Sequence, residues 1–159
     1  MTRTRAFVAL GSNLGCREAN LHAAINRLRQ LGDVTAVSEF HATRAVPESG
    51  VLATDPDFLN AAVALDTRLD AHTLLHGLLQ IEAGLGRDRT TAPVGPRTVD
   101  LDLLLFGDLV VEAPGLVVPH PHMHHRRFVL EPLCQIAPNA WHPGLRKTVR
   151  ELLGELAAD

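Results

Sequence analysis

Cysteine is scarce: Cys16 and Cys134 are the only two in 159 residues, and their spacing fits no metal or redox motif. A disulfide scaffold is thereby excluded, and two buried, reduced thiols of a cytosolic protein are expected. Long apolar runs are missing as well. None approaches the roughly 20 residues of a membrane span. The basic start, Met1 to Arg5, is followed only by Ala6–Leu10 before Gly11, too short for the apolar region of a secretion signal. A soluble, cytoplasmic protein is the expectation. Excess positive charge is also lacking, since fifteen Lys and Arg stand against eighteen Asp and Glu, a net of −3. A whole-molecule field that draws nucleic acid or an anionic membrane is excluded, so any polyanion site must be a local basic cluster. No repeat, low-complexity linker or Walker-A loop occurs.

What is present suits one ordinary domain over 1–159, large enough to bury about 70% of its unfolded surface. Ala6–Leu10 reads as a buried strand closed by the turn Gly11-Ser-Asn-Leu-Gly15. Leu21, Ala24, Ile25, Leu28 and Leu31 keep helical spacing over 19–31, with Gly32 as the expected cap. Val34–Phe40 is a strand, 43–57 a long loop and Phe58–Leu65 a third strand. Asp70 is the expected N-cap of a second helix ending at Gly84 or Gly86, with Leu74, Leu75, Leu78, Leu79 and Ile81 along its apolar stripe. Residues 87–97 form a second irregular loop. Val99–Phe106 is a strong strand, with a hairpin through Gly107-Asp108 into Leu109–Val111, and 148–157 is a last helix. The order β-α-β-β-α-β predicts an α+β, ferredoxin-like core: an antiparallel sheet with both helices on one face, plus a C-terminal hairpin and short helices.

The most informative segment is Val99-Asp-Leu-Asp-Leu103. Alternation along a strand puts Asp100 and Asp102 on one face, with Cα atoms about 6.6 Å apart. Carboxylates so placed suit hard cations, and Mg²⁺ takes few protein ligands beside phosphate oxygens. A solvent-facing pair of acids is the competing reading. The apolar run Leu104–Phe106 argues for a central strand bordering a cleft, and so for the metal. Arg87, Arg89 and Arg97 precede the pair; guanidinium forks match phosphate oxygens, an arrangement suited to phosphoryl transfer. Solvated loop charge is their ordinary fate when isolated.

Phe58 and Asn60 share a strand face, where a ring and an amide can stack on and hydrogen-bond a planar heterocycle. A core Phe and a turn Asn explain the same pair. His120, His122, His124 and His125 lie within six residues, without the ordered spacing of a zinc site. Exposed loop polarity covers most of them. His120, between two prolines, together with Arg126 adds positive, hydrogen-bonding groups that suit a nucleotide.

Together Gly11-Ser-Asn-Leu14, Phe58-Leu-Asn-Ala-Ala-Val63, Gly95-Pro-Arg-Thr-Val-Asp-Leu-Asp-Leu103 and Val118-Pro-His120, followed by Arg126 and Phe128, resemble the 6-hydroxymethyl-7,8-dihydropterin pyrophosphokinases of folate biosynthesis. The matches span nearly the whole chain in family order. The resemblance implies transfer of diphosphate from ATP to the pterin hydroxymethyl group, with release of AMP. It assigns Asp100 and Asp102 to two Mg²⁺ ions, and Arg87 and Arg97 to a loop that closes over ATP. Arg89, His120, Arg126 and Glu82 would join the nucleotide site. Phe58 and Phe128 would sandwich the pterin, Asn60 would read its polar edge, and Thr43, Ala45 and Val46 would complete the pocket. The family pattern also implies a monomer. Departures are Pro93 for a basic residue, Val94 for an aromatic, Phe58 for a frequent Tyr, and a longer 44–57 segment. Two other classes fit parts of the chain: a non-catalytic ferredoxin-like ligand-binding module, and a transition-metal protein using the histidines.

Overall fold

The structure, a computed structural model, describes residues 2–13, 15–43, 58–85 and 98–156. Chain order runs β1 (Thr4–Ser12), α1 (Arg17–Leu28), β2 (Asp33–Val37), β3 (His41–Thr43), β4 (Phe58–Thr67), α2 (Ala71–Gly84) and β5 (Asp100–Phe106). It continues through β6 (Val111–Ala113), β7 (Leu116–Val118), α3 (Arg127–Ile136), β8 (Trp141–His142), β9 (Lys147–Thr148) and α4 (Val149–Leu156). The main sheet has the order β2-β4-β1-β5, with β3 also on β4, and every pairing is antiparallel. This is, among the described residues, a mixed α/β architecture with four α-helices. Among the described residues no helix is long and apolar enough to cross a membrane.

The helices follow from their apolar spacing. Leu21, Ala24, Ile25 and Leu28 form the buried side of α1, and Leu74, Leu78 and Ile81 that of α2. Both pack on Val8, Leu10, Val63, Leu65, Leu101 and Leu103 of the sheet. Truncating a fully buried leucine such as Leu74 to Ala costs about 2–5 kcal/mol. Asp70 caps α2 as expected, its carboxylate accepting from the Thr73 amide at 2.8 Å. Leu79, expected on the buried stripe, is instead exposed.

Several expectations are corrected. Gly32 is not the cap of α1, which ends at Leu28 with Arg29 beyond it. A Cβ at Gly32 would lie 2.4 Å from the Asp66 carbonyl oxygen, so close backbone approach explains the glycine. Residues 109–111 do not pair with β5; β6 pairs with β7 instead. Cys16 is exposed at the start of α1 and Cys134 is half-buried. The other sheet face is covered too, by α3 and α4, where Val129, Leu130, Leu133, Val149 and Leu152 meet Phe7, Ala9, Ala62, Leu104 and Leu105. Sequence spacing did not reveal α3, because Pro132 interrupts it. That proline leaves the Phe128 carbonyl without its helical donor, yet the apolar face holds the helix together.

β5 is not central. Among the described residues it ends the sheet, and its apolar run arises from helices on both faces rather than from strands on both sides. Its register on β1 shifts once: Phe7 opposes Leu105 and Val8 opposes Leu103, so Leu104 is a surplus residue. Leu104 and Leu105 therefore both serve the α3 side.

Candidate active site

Asp100 and Asp102 project on the same side of β5, opposite Leu101 and Leu103, as alternation requires. Both are half-buried. The register then aligns three strands. Gly11 pairs with Asp100 on one side and Asn60 on the other, while Ala9 pairs with Asp102 and Ala62. Asn60 and Asp100 thus stand about 10 Å apart across one face, two strand spacings with small residues between them. Gly11 forms that floor, since a Cβ there would lie 3.2 Å from Asn60 Oδ1 and 3.8 Å from the Phe58 ring. Gly11 was not among the sequence-derived site residues; the glycine that ends the first strand, beside the aspartate strand, was the available signal.

Asn60 is buried and its amide nitrogen donates to Thr43 Oγ1 at 2.7 Å and, more weakly, to the His41 carbonyl at 3.4 Å. Thr43 pairs with Phe58 in the ladder, so Thr43, Phe58 and Asn60 form one corner of the site. At the start of α3, the Arg126 guanidinium lies 5.7 Å from the centroid of the Phe128 ring, a cation–π contact. The α3 helix is tied down beside this corner, for Gln135 Oε1 accepts from the Glu39 amide at 2.8 Å.

His120 is placed by the irregularity in β5. Its amide donates to the carbonyl of the surplus residue Leu104 at 2.9 Å. The imidazole Nδ1 accepts from the His122 amide at 3.1 Å, so the neutral ring carries its proton on Nε2. That Nε2 sits 4.0 Å from Asp102 Oδ1. Burial, followed by the positive charges of Arg126 and His122, pushes the His120 pKa down from 6.5 to about 4. His120 is therefore a neutral donor at the site, not the positive group expected from sequence. Glu82, expected beside the nucleotide, is buried at the end of α2, and its Oε2 accepts from the Leu101 amide at 2.7 Å.

The structure brings together Thr43, Phe58, Asn60, Asp100, Asp102 and His120 by register and contact, with Arg126 and Phe128 on the same side of the sheet. Arg87, Arg89, Arg97, Ala45 and Val46 lie outside the described residues. The donor set fits magnesium: two carboxylates at i and i+2 on one face provide the small protein share of a site that phosphate oxygens complete. Among the described residues no group of three or more His, Cys, Asp or Glu side chains forms a protein-only metal cage.

The family model for 7,8-dihydro-6-hydroxymethylpterin-pyrophosphokinase matches residues 7–138. A protein of Methylorubrum extorquens named 2-amino-4-hydroxy-6-hydroxymethyldihydropteridine pyrophosphokinase is 43% identical over 154 residues, covering 96% of this chain and 94% of that one. One of Bacillus subtilis with the same name is 43% identical over 138 residues, covering 82% and 77%. A crystal structure of HPPK-DHPS in complex with substrates shares the fold with a TM-score of 0.76 at 13% identity, over 98% of this chain and 43% of that one. The Plasmodium falciparum HPPK-DHPS A437G structure with SDX-DHP gives 0.76 at 15%, over 99% and 46%. The chain spans less than half the length of these solved structures.

Proposed function

This chain belongs to the 7,8-dihydro-6-hydroxymethylpterin-pyrophosphokinase family, and from that premise we propose that it transfers diphosphate from ATP to 6-hydroxymethyl-7,8-dihydropterin, forming the pterin diphosphate and AMP in folate biosynthesis. The observation that carries the proposal is the row Asn60–Gly11–Asp100. An amide suited to a heterocycle edge and a carboxylate pair suited to cations share one face, about 10 Å apart.

Phe58 and Phe128 stack on the pterin, and Asn60, fixed by Thr43, reads its polar edge, with Ala45 and Val46 completing that pocket. Asp100 and Asp102 would hold two Mg²⁺ ions, which supply charge neutralisation along the triphosphate and orient the attacking hydroxyl when bound. His120 contributes a neutral Nε2–H donor, and Arg126 a fixed positive charge. Arg87 and Arg97 stabilise the charge that moves onto the departing AMP, and Arg89 contacts the nucleotide or its phosphates. The oxygen–phosphorus bond to the pterin forms as the bond between the α-phosphate oxygen and the β-phosphorus breaks. Holding both reactants in line is most of what a phosphoryl-transfer protein has to do.

On this reading 1–159 is one ferredoxin-like domain, cytoplasmic and monomeric, working on small molecules rather than on nucleic acid or a membrane. The test is AMP production from ATP, Mg²⁺ and the hydroxymethyl pterin. Asp100→Ala and Asp102→Ala should each lower the rate by several orders of magnitude. Pterin or nucleotide binding that ignores Mg²⁺, with no AMP formed, would instead mark a non-catalytic binding module.

A further inference from the structure

Among the described residues no strand lies beyond β5 in its sheet. At Leu101 a side chain from another element meets the backbone: Glu82, at the end of α2, accepts the Leu101 N–H on Oε2 at 2.7 Å. Glu82 is 3% exposed. A carboxylate so deeply placed is tolerated only when well hydrogen-bonded, and a bond to a charged acceptor is stronger than a neutral one.

The location of that bond matters more than its strength. The Leu101 N–H belongs to the peptide plane that also contains the Asp100 carbonyl. Fixing that plane sets the backbone between Asp100 and Asp102, and so the direction in which the two carboxylates leave the strand. On the inner side the ladder to β1 already holds Gly11 against Asp100 and Ala9 against Asp102. Glu82 supplies the outer restraint, from the helix face opposite the aspartates.

We infer that Glu82 is a positioning residue for the Asp100–Asp102 pair, acting through the Leu101 peptide. The inference rests on the reading above that the pair grips divalent cations. Partners behind metal ligands commonly carry a large share of affinity, with losses of about 10–100-fold when they are removed.

The chain with Glu82→Gln or Glu82→Leu tests this. Gln keeps an acceptor of the same reach without the charge, whereas Leu fills the space without an acceptor. Mn²⁺ binding, followed by electron paramagnetic resonance with a non-hydrolysable ATP analogue, should weaken at least about tenfold in E82L and stay within about threefold in E82Q. The kcat for AMP formation should fall alongside in E82L, while affinity for the analogue in the absence of metal stays as in the unmodified chain. Exchange of the Leu101 amide should quicken in E82L only. Equal loss of Mn²⁺ affinity in both variants, or metal-free nucleotide binding lost in both, would overturn the inference, since charge or a nucleotide contact would then explain Glu82. Unchanged Mn²⁺ binding in E82L would overturn it as well. If E82L does not fold, E82Q alone decides: retained Mn²⁺ affinity with a protected Leu101 amide supports positioning, and lost affinity rejects it. An unmodified chain that binds no Mn²⁺ sinks the metal reading itself, an outcome distinct from any difference between variants.

Discussion

Asn60 is held by Thr43: its amide nitrogen donates to the threonine hydroxyl at 2.7 Å, which turns Oδ1 toward Gly11 and the open floor. Thr43→Val keeps the shape and removes the acceptor. The loss of one such bond, about 1 kcal/mol, should weaken pterin binding roughly fivefold. Titration calorimetry with the pterin and, separately, with an ATP analogue checks this, because only the first affinity should move.

His120 gives the site a pH signature. Its folded pKa lies near 4, below the ordinary 6.5, so the unfolded chain binds this proton more readily. The linked stability is fully present above about pH 6.5 and is lost as pH falls toward 4. Burial also lowers the pKa of His124 and His142, which act in the same direction. His120→Gln, which retains a donor, should show a smaller drop in melting temperature between about pH 7.5 and about pH 5. An unchanged drop would contradict the neutral assignment.

The remaining histidines of the 122–125 segment are expected to be dispensable. His122 holds the His120 ring through its backbone amide, which a change of side chain leaves in place. Replacing His122, His124 and His125 together by Asn should leave AMP formation intact. Zinc should be absent from metal-free preparations at stoichiometric level. Zinc bound one-to-one, with activity lost in the triple variant, would revive the transition-metal reading.

The α4 helix begins with a reciprocal cap. The Glu151 amide donates to Thr148 Oγ1 at 3.2 Å, and Glu151 Oε1 accepts the Thr148 amide at 3.0 Å. Thr148→Ala should cost about 1 kcal/mol, or roughly 2–4 °C of melting temperature for a chain of this size. KM for both substrates should not change, which separates this stability defect from a site defect.

Much of this was legible in the sequence where local chemistry decides the outcome. Alternation alone put Asp100 and Asp102 on one face, and Asp70 announced α2. The neighbours were not legible. That Asn60 faces Asp100 across Gly11 is a matter of register between strands far apart in the chain, which no local pattern encodes. The Leu104–Phe106 run looked like a central strand because burial between helices and burial between strands leave the same apolar trace. α3 was hidden by Pro132, and the charge state of His120 depends on burial that only packing creates.

The surplus residue in β5 has a consequence for how this family member can change. Leu104 carries the carbonyl that anchors His120, and it also separates the aspartate half of the strand from the half ending at Phe106. Removing Leu104 would restore a regular ladder with Phe106 and the acidic pair on their present faces, but it would take away the carbonyl that anchors His120 and one leucine packed under α3. Length in this strand is therefore under tighter constraint than side-chain identity, and tolerated drift should take the form of exchanges rather than gaps.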